Sequence, residues 1–212
     1  VLSCVGCHDS QNASPPARRS LAMLRKPSAI EPWYGPPRPF SFQREVQPVL
    51  DKYCVGCHDG REPGRPNFVA DRPSPFRRFT ASYCELHPFV RRPGPESDYA
   101  LQRPMEFHAS TSELVQMLEK GHHGVRLDAE AWDRLVTWID LNVPDHGTWG
   151  EHRGAPVAIA ERRLAMRTRY ANRPEDPEQY PSPPPEKPAF VPPTAEPERP
   201  AVEPRASGWP FD

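Results

Sequence analysis

The chain has 212 residues, of which 36% are hydrophobic and 31 are proline, about three times proline's usual share of roughly 5%. Its 27 Lys/Arg against 28 Asp/Glu leave a net charge of -1, which makes no electrostatic case for nucleic acid or an anionic lipid surface as partner. No run approaches the ~18 apolar residues of a membrane span, and a mean hydropathy of -0.76 with proline throughout argues against a large self-sufficient enzyme fold.

The first segment, residues 1–40, opens Val1-Leu2-Ser3-Cys4, with no initiator Met, basic n-region or apolar signal core. A functional cysteine at the fourth position is unusual for a domain start, so the chain is read as a piece of a longer protein. Cys4-Val5-Gly6-Cys7-His8-Asp9 is followed by a short basic stretch and a Pro-rich connector from Pro27 to Pro39. Such a segment is too small to enclose a large cofactor alone.

Residues 41–150 read as a compact helical module. Phe42, Val46, Val49, Leu50 and Tyr53 recur at helical spacing behind Ser41, a candidate cap, and Pro48 should kink or restart that helix. The helix leads into Cys54-Val55-Gly56-Cys57-His58-Asp59, a second copy of the opening string. Residues 59–104 carry eight prolines and read as loop. A second helix is expected from Ser110, with Glu113 completing a capping box and Gly121 closing it. A third is expected from Asp128, carrying Trp132, Leu135, Val136 and Ile139 and ending before Pro144. Between them lies Gly121-His122-His123-Gly124.

Residues 151–173 are a basic extension, helical over 155–171 with Pro156 in its first turn. From Pro174 to Pro210 thirteen prolines fall in 37 residues, a composition that cannot build a core and reads as extended, unfolded linker toward a further domain, over residues 174–212.

The duplicated Cys-x-x-Cys-His is the attachment signature of c-type haem. Two thiols two residues apart reach the two vinyl groups on one haem edge, and the adjacent histidine swings beneath the ring to ligate iron. Structural zinc is the rival, but 46 residues separate Cys7 from Cys54, where zinc ribbons show about 15–20. A thioredoxin-like redox pair would need a βαβ context, and zinc gives no reason for a histidine after both second cysteines. The reading is therefore two covalently bound haem c groups, on Cys4, Cys7 and His8 and on Cys54, Cys57 and His58. Haem c is attached outside the cytoplasm, so a periplasmic or equivalent extracytoplasmic location follows. Cys84 is left over and reads as a small buried hydrophobe.

For the sixth iron ligand the candidates are His87, His108, His122, His123, His146, His152, Met105 and Met117. Met117 sits on an apolar helical stripe and reads as core. The His122–His123 turn, at the mouth of two amphipathic helices, is favoured for the second haem. His108, just ahead of the capping box, is best placed to serve the first.

Ser41 to Leu50 leading into Cys54–His58, Met117 to Leu127, and Trp138-Ile139-Asp140-Leu141-Asn142 resemble the C-terminal dihaem cytochrome region of hydrazine synthase alpha-subunit-related, planctomycete-type multidomain proteins. The likeness runs to about Tyr170. It implies His58 and His122 as the axial pair of an electron-transfer haem, a β-propeller-like region upstream, and, from Gly208-Trp209-Pro210-Phe211-Asp212, a junction to a formylglycine-generating-enzyme-like domain. It also implies a catalytic first haem with a tyrosine four positions after the motif histidine, where this chain has Asn12.

The fold class expected is mainly α: a small cytochrome c-like module with long irregular segments and a Pro-rich tail. The expected function is electron transfer within a larger extracytoplasmic protein, with a redox protein or neighbouring domains as partners. The alternatives are a haem enzyme acting on a small nitrogen or oxygen species at the first haem, and a haem-containing sensing or binding module.

Overall fold

The computed structural model describes residues 21–74, 76, 78–94, 103–153 and 157–194. The motif at Cys4, Cys7 and His8 and the residue Asn12 lie outside them. Among the described residues the secondary structure is helical, without strands, and no helix is long and apolar enough to cross a membrane.

The chain divides between Pro37 and Arg38 into two units. The described part of the first is a short 3-10 turn, Leu21–Leu24, followed by irregular Pro-rich chain in which the Trp33 and Tyr34 rings meet edge to face at 5.4 Å. The division precedes residue 41 because Arg38 and Phe40 belong to the second unit's packing: Arg38 binds buried Glu45, and Phe40 lies on the core.

The second unit begins with a π-helical turn, Phe42–Val46, that runs into helix α1, Gln47–Tyr53. Pro48 explains the break. It has no N–H for the Arg44 carbonyl and its ring would press on that oxygen, so the turn widens and α1 restarts with the proline in its first turn. Ser41 does not cap with its side chain, contrary to the sequence reading; its carbonyl accepts from the Arg44 and Glu45 amides instead.

The loop reading of 59–104 misses helix α2, Ala81–Leu86, and the 3-10 turn His87–Phe89. Here Tyr83 and Leu86 are buried. Thr80 precedes the helix, and its amide and hydroxyl donate to buried Asp145, at 3.1 and 2.8 Å. Buried Gln47 ties this region to α1: its amide nitrogen donates to Asp51 Oδ1 and the Phe68 carbonyl, and its oxygen accepts from Ser82. Every polar atom of that side chain is thereby partnered, which offsets the cost of burying it.

The expected capping box does not form. Ser110 lies in a 3-10 turn, Ala109–Thr111, and its amide donates to His108; helix α3 then spans Glu113–Glu119 behind Ser112. Gly121 takes the expected left-handed conformation after it, φ 90°. Helix α4, Ala129–Asp140, starts as expected, with Asp128 Oδ1 accepting from the Ala131 amide at 2.7 Å. Phe42, Tyr83 and Trp138 form an aromatic cluster with centroids 5.4–6.1 Å apart. The polar edges of two of them are satisfied, Trp138 Nε1 by the Pro144 carbonyl and Tyr83 Oη by that of Val143. Two shorter pieces complete the helices, α5 at Trp149–Arg153 and α6 at Val157–Ala171; Pro156 lies outside the described residues.

The tail reading needs correction up to residue 194. Residues 172–194 have no helix or strand, as their prolines require, yet they lie along the module. The Arg44 guanidinium stands 3.7 Å over the Tyr180 ring and donates to the Ser182 carbonyl. Further on, the Val191 amide donates to the Lys52 carbonyl at 2.7 Å. Composition rules out ladders, but not the docking of individual side chains and amides.

Asp128 joins α4 to α1, since its Oδ2 accepts from Tyr53 Oη and pairs with Lys52, both at 2.8 Å. The Lys52 hydrogen bond, with the Ala131 amide and Tyr53, lowers the Asp128 carboxyl to about 2. As the loss of a helix cap, Asp128→Ala should cost about 1 kcal/mol in urea unfolding, and Asp128→Asn less, because asparagine still caps. The folded pKa lies below the unfolded value near 3.9, so the wild-type advantage over Asp128→Asn should be full above about pH 4 and fade as pH falls toward about 2.

Candidate functional site

Helix α1 ends at Cys54, and the chain turns tightly there. The Cys57 and His58 amides both donate to the Cys54 carbonyl, at 3.1 and 3.0 Å. This turn brings both cysteines and His58 to one wall of a cavity of about 380 Å³, a size within the range of ligand sites. Leu50, Phe68, Leu86, Phe89, Leu114, Met117, Leu118, Val125, Leu127 and Leu135 make most of the remaining lining. The lining is thus largely apolar, drawn from α1, α3, α4 and the α2 region.

His58 is oriented from behind. Its Nδ1 lies 3.0 Å from the Pro66 carbonyl, which can only accept, so Nδ1 carries the proton and donates, leaving Nε2 with its lone pair. The Phe68 amide returns to the His58 carbonyl at 2.9 Å, and the Phe68 ring packs on the imidazole at 4.8 Å.

His122 stands opposite. Its turn is built from three left-handed residues, Gly121, His123 and Gly124 at φ 90°, 49° and 73°. The His58 and His122 rings are 6.0 Å apart, with planes 25° from parallel. That is too wide for direct stacking. Two metal–imidazole bonds of about 2.0 Å plus the radius of each ring sum to about 6 Å, so the centroid separation equals the one two imidazoles would have if they shared a metal ion. Burial lowers the His122 pKa, with His123 and His58 adding to the effect; the neutral imidazole so favoured is the ligating form.

Of the other sequence candidates, only His123 and Met117 also line this cavity. His123 touches the cavity, but its ring is turned 74° from that of His122. Exposed His108 does not line this cavity; its Nδ1 meets the Ser110 hydroxyl at 2.8 Å and accepts from the Ser110 amide. His87 stacks on Tyr83, His146 on Phe79, and His152 tilts against His146 and Trp149. Met105 is exposed in a left-handed turn. Met117 packs against the core and also lines the cavity. Cys84 is half-buried against the core, 3.8 Å from the Ser74 hydroxyl.

Cys54 and Cys57 are free thiols. Burial pushes the Cys54 thiol up to about 12, with Cys57 and Asp51 adding to it, the opposite of the depressed pKa of a dithiol redox nucleophile. Among the described residues no group of three or more His, Cys, Asp or Glu forms a metal-ligand cluster. The imidazoles of His58 and His122 both line this largely apolar cavity.

Sequence reading missed the Pro66 carbonyl, Phe68 and Pro193, the last of which also lines the cavity. The only local signal was an aromatic residue two positions after a proline, in a stretch that looked like plain loop. No family model matches the chain, and no curated protein or solved structure resembles it at a significant level.

Proposed function

We propose that this module is a c-type cytochrome that transfers electrons, with haem attached through Cys54 and Cys57 and ligated by His58 and His122. The observation that carries the reading is the facing pair of imidazoles, 6.0 Å apart across an apolar cavity whose wall holds both cysteines. Bound haem supplies reversible one-electron exchange at its iron.

This chain's residues supply the rest. The Pro66 carbonyl fixes the His58 tautomer and ring direction. The left-handed turn around His122 presents the second imidazole, and Leu50, Leu114, Leu118 and Leu135 exclude water. Two protein ligands leave no position for a substrate, which favours electron transfer over catalysis at this site. The duplicated Cys4-x-x-Cys7-His8 supports a second haem, with His108 as a candidate sixth ligand there, and the pair would serve a larger extracytoplasmic protein with a redox protein or neighbouring domains as partners.

Denaturing intact mass is the test. The polypeptide should carry two haems that survive acid-acetone extraction, one of them lost in Cys54→Ser/Cys57→Ser. An unmodified mass would refute the reading.

A further inference from the structure

The Pro-rich segment meets the site at both of its histidine-bearing loops. The Val191 amide donates to the carbonyl of Lys52, two residues before Cys54, and the Thr194 amide donates at 3.1 Å to the carbonyl of Gly124, two residues after His122. Pro192 and Pro193 lie between these anchors, and Pro193 lines the cavity. Two consecutive prolines have fixed φ and no amide to lose to water, so they form a stiff spacer of about 3.1 Å per residue between the two bonded amides.

Two glycines make room for this contact. A Cβ on Gly56 would lie 2.1 Å from Phe190 Cζ, with two further ring atoms within 2.6 Å. A Cβ on Gly124 would lie 2.0 Å from the Thr194 carbonyl oxygen. Gly56 is two residues before His58 and Gly124 two after His122, so both ligand loops are open where the segment crosses them. The His122 loop has little to hold it internally beyond the Val125 amide donating to the His122 carbonyl.

We propose that residues 190–194 are a strap that holds the His122 loop at its distance from His58, with Phe190 as the positioning residue; the proposal rests on the axial-pair reading above. The strap fixes Gly124 relative to Lys52, and so slows the excursions of His122 that would let another ligand reach the metal. With a net hydrogen bond worth about 1 kcal/mol, losing both anchors should speed such excursions about thirtyfold, and a partial loosening of the strap about tenfold.

The test uses the full haem-loaded chain and two readouts. Amide hydrogen exchange at Val191 and Thr194 reports the strap itself, whatever occupies the cavity. The rate at which added imidazole displaces the native ligand of the Cys54–Cys57 haem reports His122. In the wild type both amides should be protected. In Phe190→Ala both should exchange about tenfold faster, and imidazole uptake should rise by a similar factor, while Phe190→Leu stays near wild type. Gly56→Ala keeps Cys-x-x-Cys-His intact at an ordinary backbone conformation, so it should act as Phe190→Ala does. Adding it to Phe190→Ala should do little more. Unprotected amides in the wild type would overturn the strap, as would protected amides with unchanged imidazole uptake in Phe190→Ala. A chain without haem at Cys54 and Cys57 would instead defeat the axial-pair reading, and the exchange data would then stand apart from it.

Discussion

His122→Ala is expected to convert the haem at Cys54–Cys57 from low-spin to largely high-spin, and to let carbon monoxide bind it on reduction. His122 is the imidazole that faces His58 with nearly parallel planes, while the rest of the nearby lining is chiefly hydrocarbon. Removing it leaves a hole, lined chiefly by hydrocarbon, that a small neutral ligand can fill. His123→Ala should change the spectrum little, because its ring is turned 74° from that of His122 and two neighbouring side chains cannot both point at one metal. The oxidised and reduced visible spectra of the two variants, with and without carbon monoxide, check this. Equal and negligible changes in both would place the sixth ligand elsewhere.

The largest stability effect should come from Glu45→Ala, at about 3–5 kcal/mol in urea unfolding. Glu45 is 1% exposed in the π-turn before α1. Arg38 grips it with two bonds, Nε to Oε1 at 2.6 Å and Nη2 to Oε2 at 2.8 Å, and Arg134 of α4 bonds the same Oε2. Arg134 is also held by Glu130, at 2.6 and 2.9 Å. Alanine would leave two mostly buried guanidinium groups facing each other without the carboxylate between them. Glu45→Gln keeps an acceptor and the side-chain volume, so it should lose less. Similar small losses from both would show that the charges are solvated despite the burial. A loss of this size is a large part of the 5–15 kcal/mol that holds an ordinary domain together, so the variant should be examined at low temperature.

Parts of this molecule were legible residue by residue, and others were not. Asp128 announces the start of α4, because capping is a local matter between one side chain and the amide three residues on. Gly121 announces the end of α3 for a similar reason, since its left-handed conformation suits glycine above other residues. The string Cys54-x-x-Cys57-His58 carries its own spacing, and His122 stood out because two amphipathic helices converge on its turn.

What sequence could not show is non-local. Ser82 and Thr80 donate to Gln47 and Asp145, 35 and 65 residues away, so α2 looked like loop. Glu45 has no local signal of burial, because the groups that close on it, Arg38 and Arg134, come from two directions. The tail is the sharpest case. Up to residue 194 the prolines exclude helix and ladder, as expected, but proline leaves its neighbours' amides free to donate, and Val191 and Thr194 do so.

The central claim is a haem between His58 and His122, and electron paramagnetic resonance of the oxidised Cys4→Ser/Cys7→Ser chain tests it most directly, since only the Cys54–Cys57 haem then remains. Ring planes 25° from parallel split the iron d orbitals unequally, so the account predicts a rhombic low-spin signal with three resolved g values. An axial high-spin signal, or no haem signal from a chain that retains zinc instead, would contradict it.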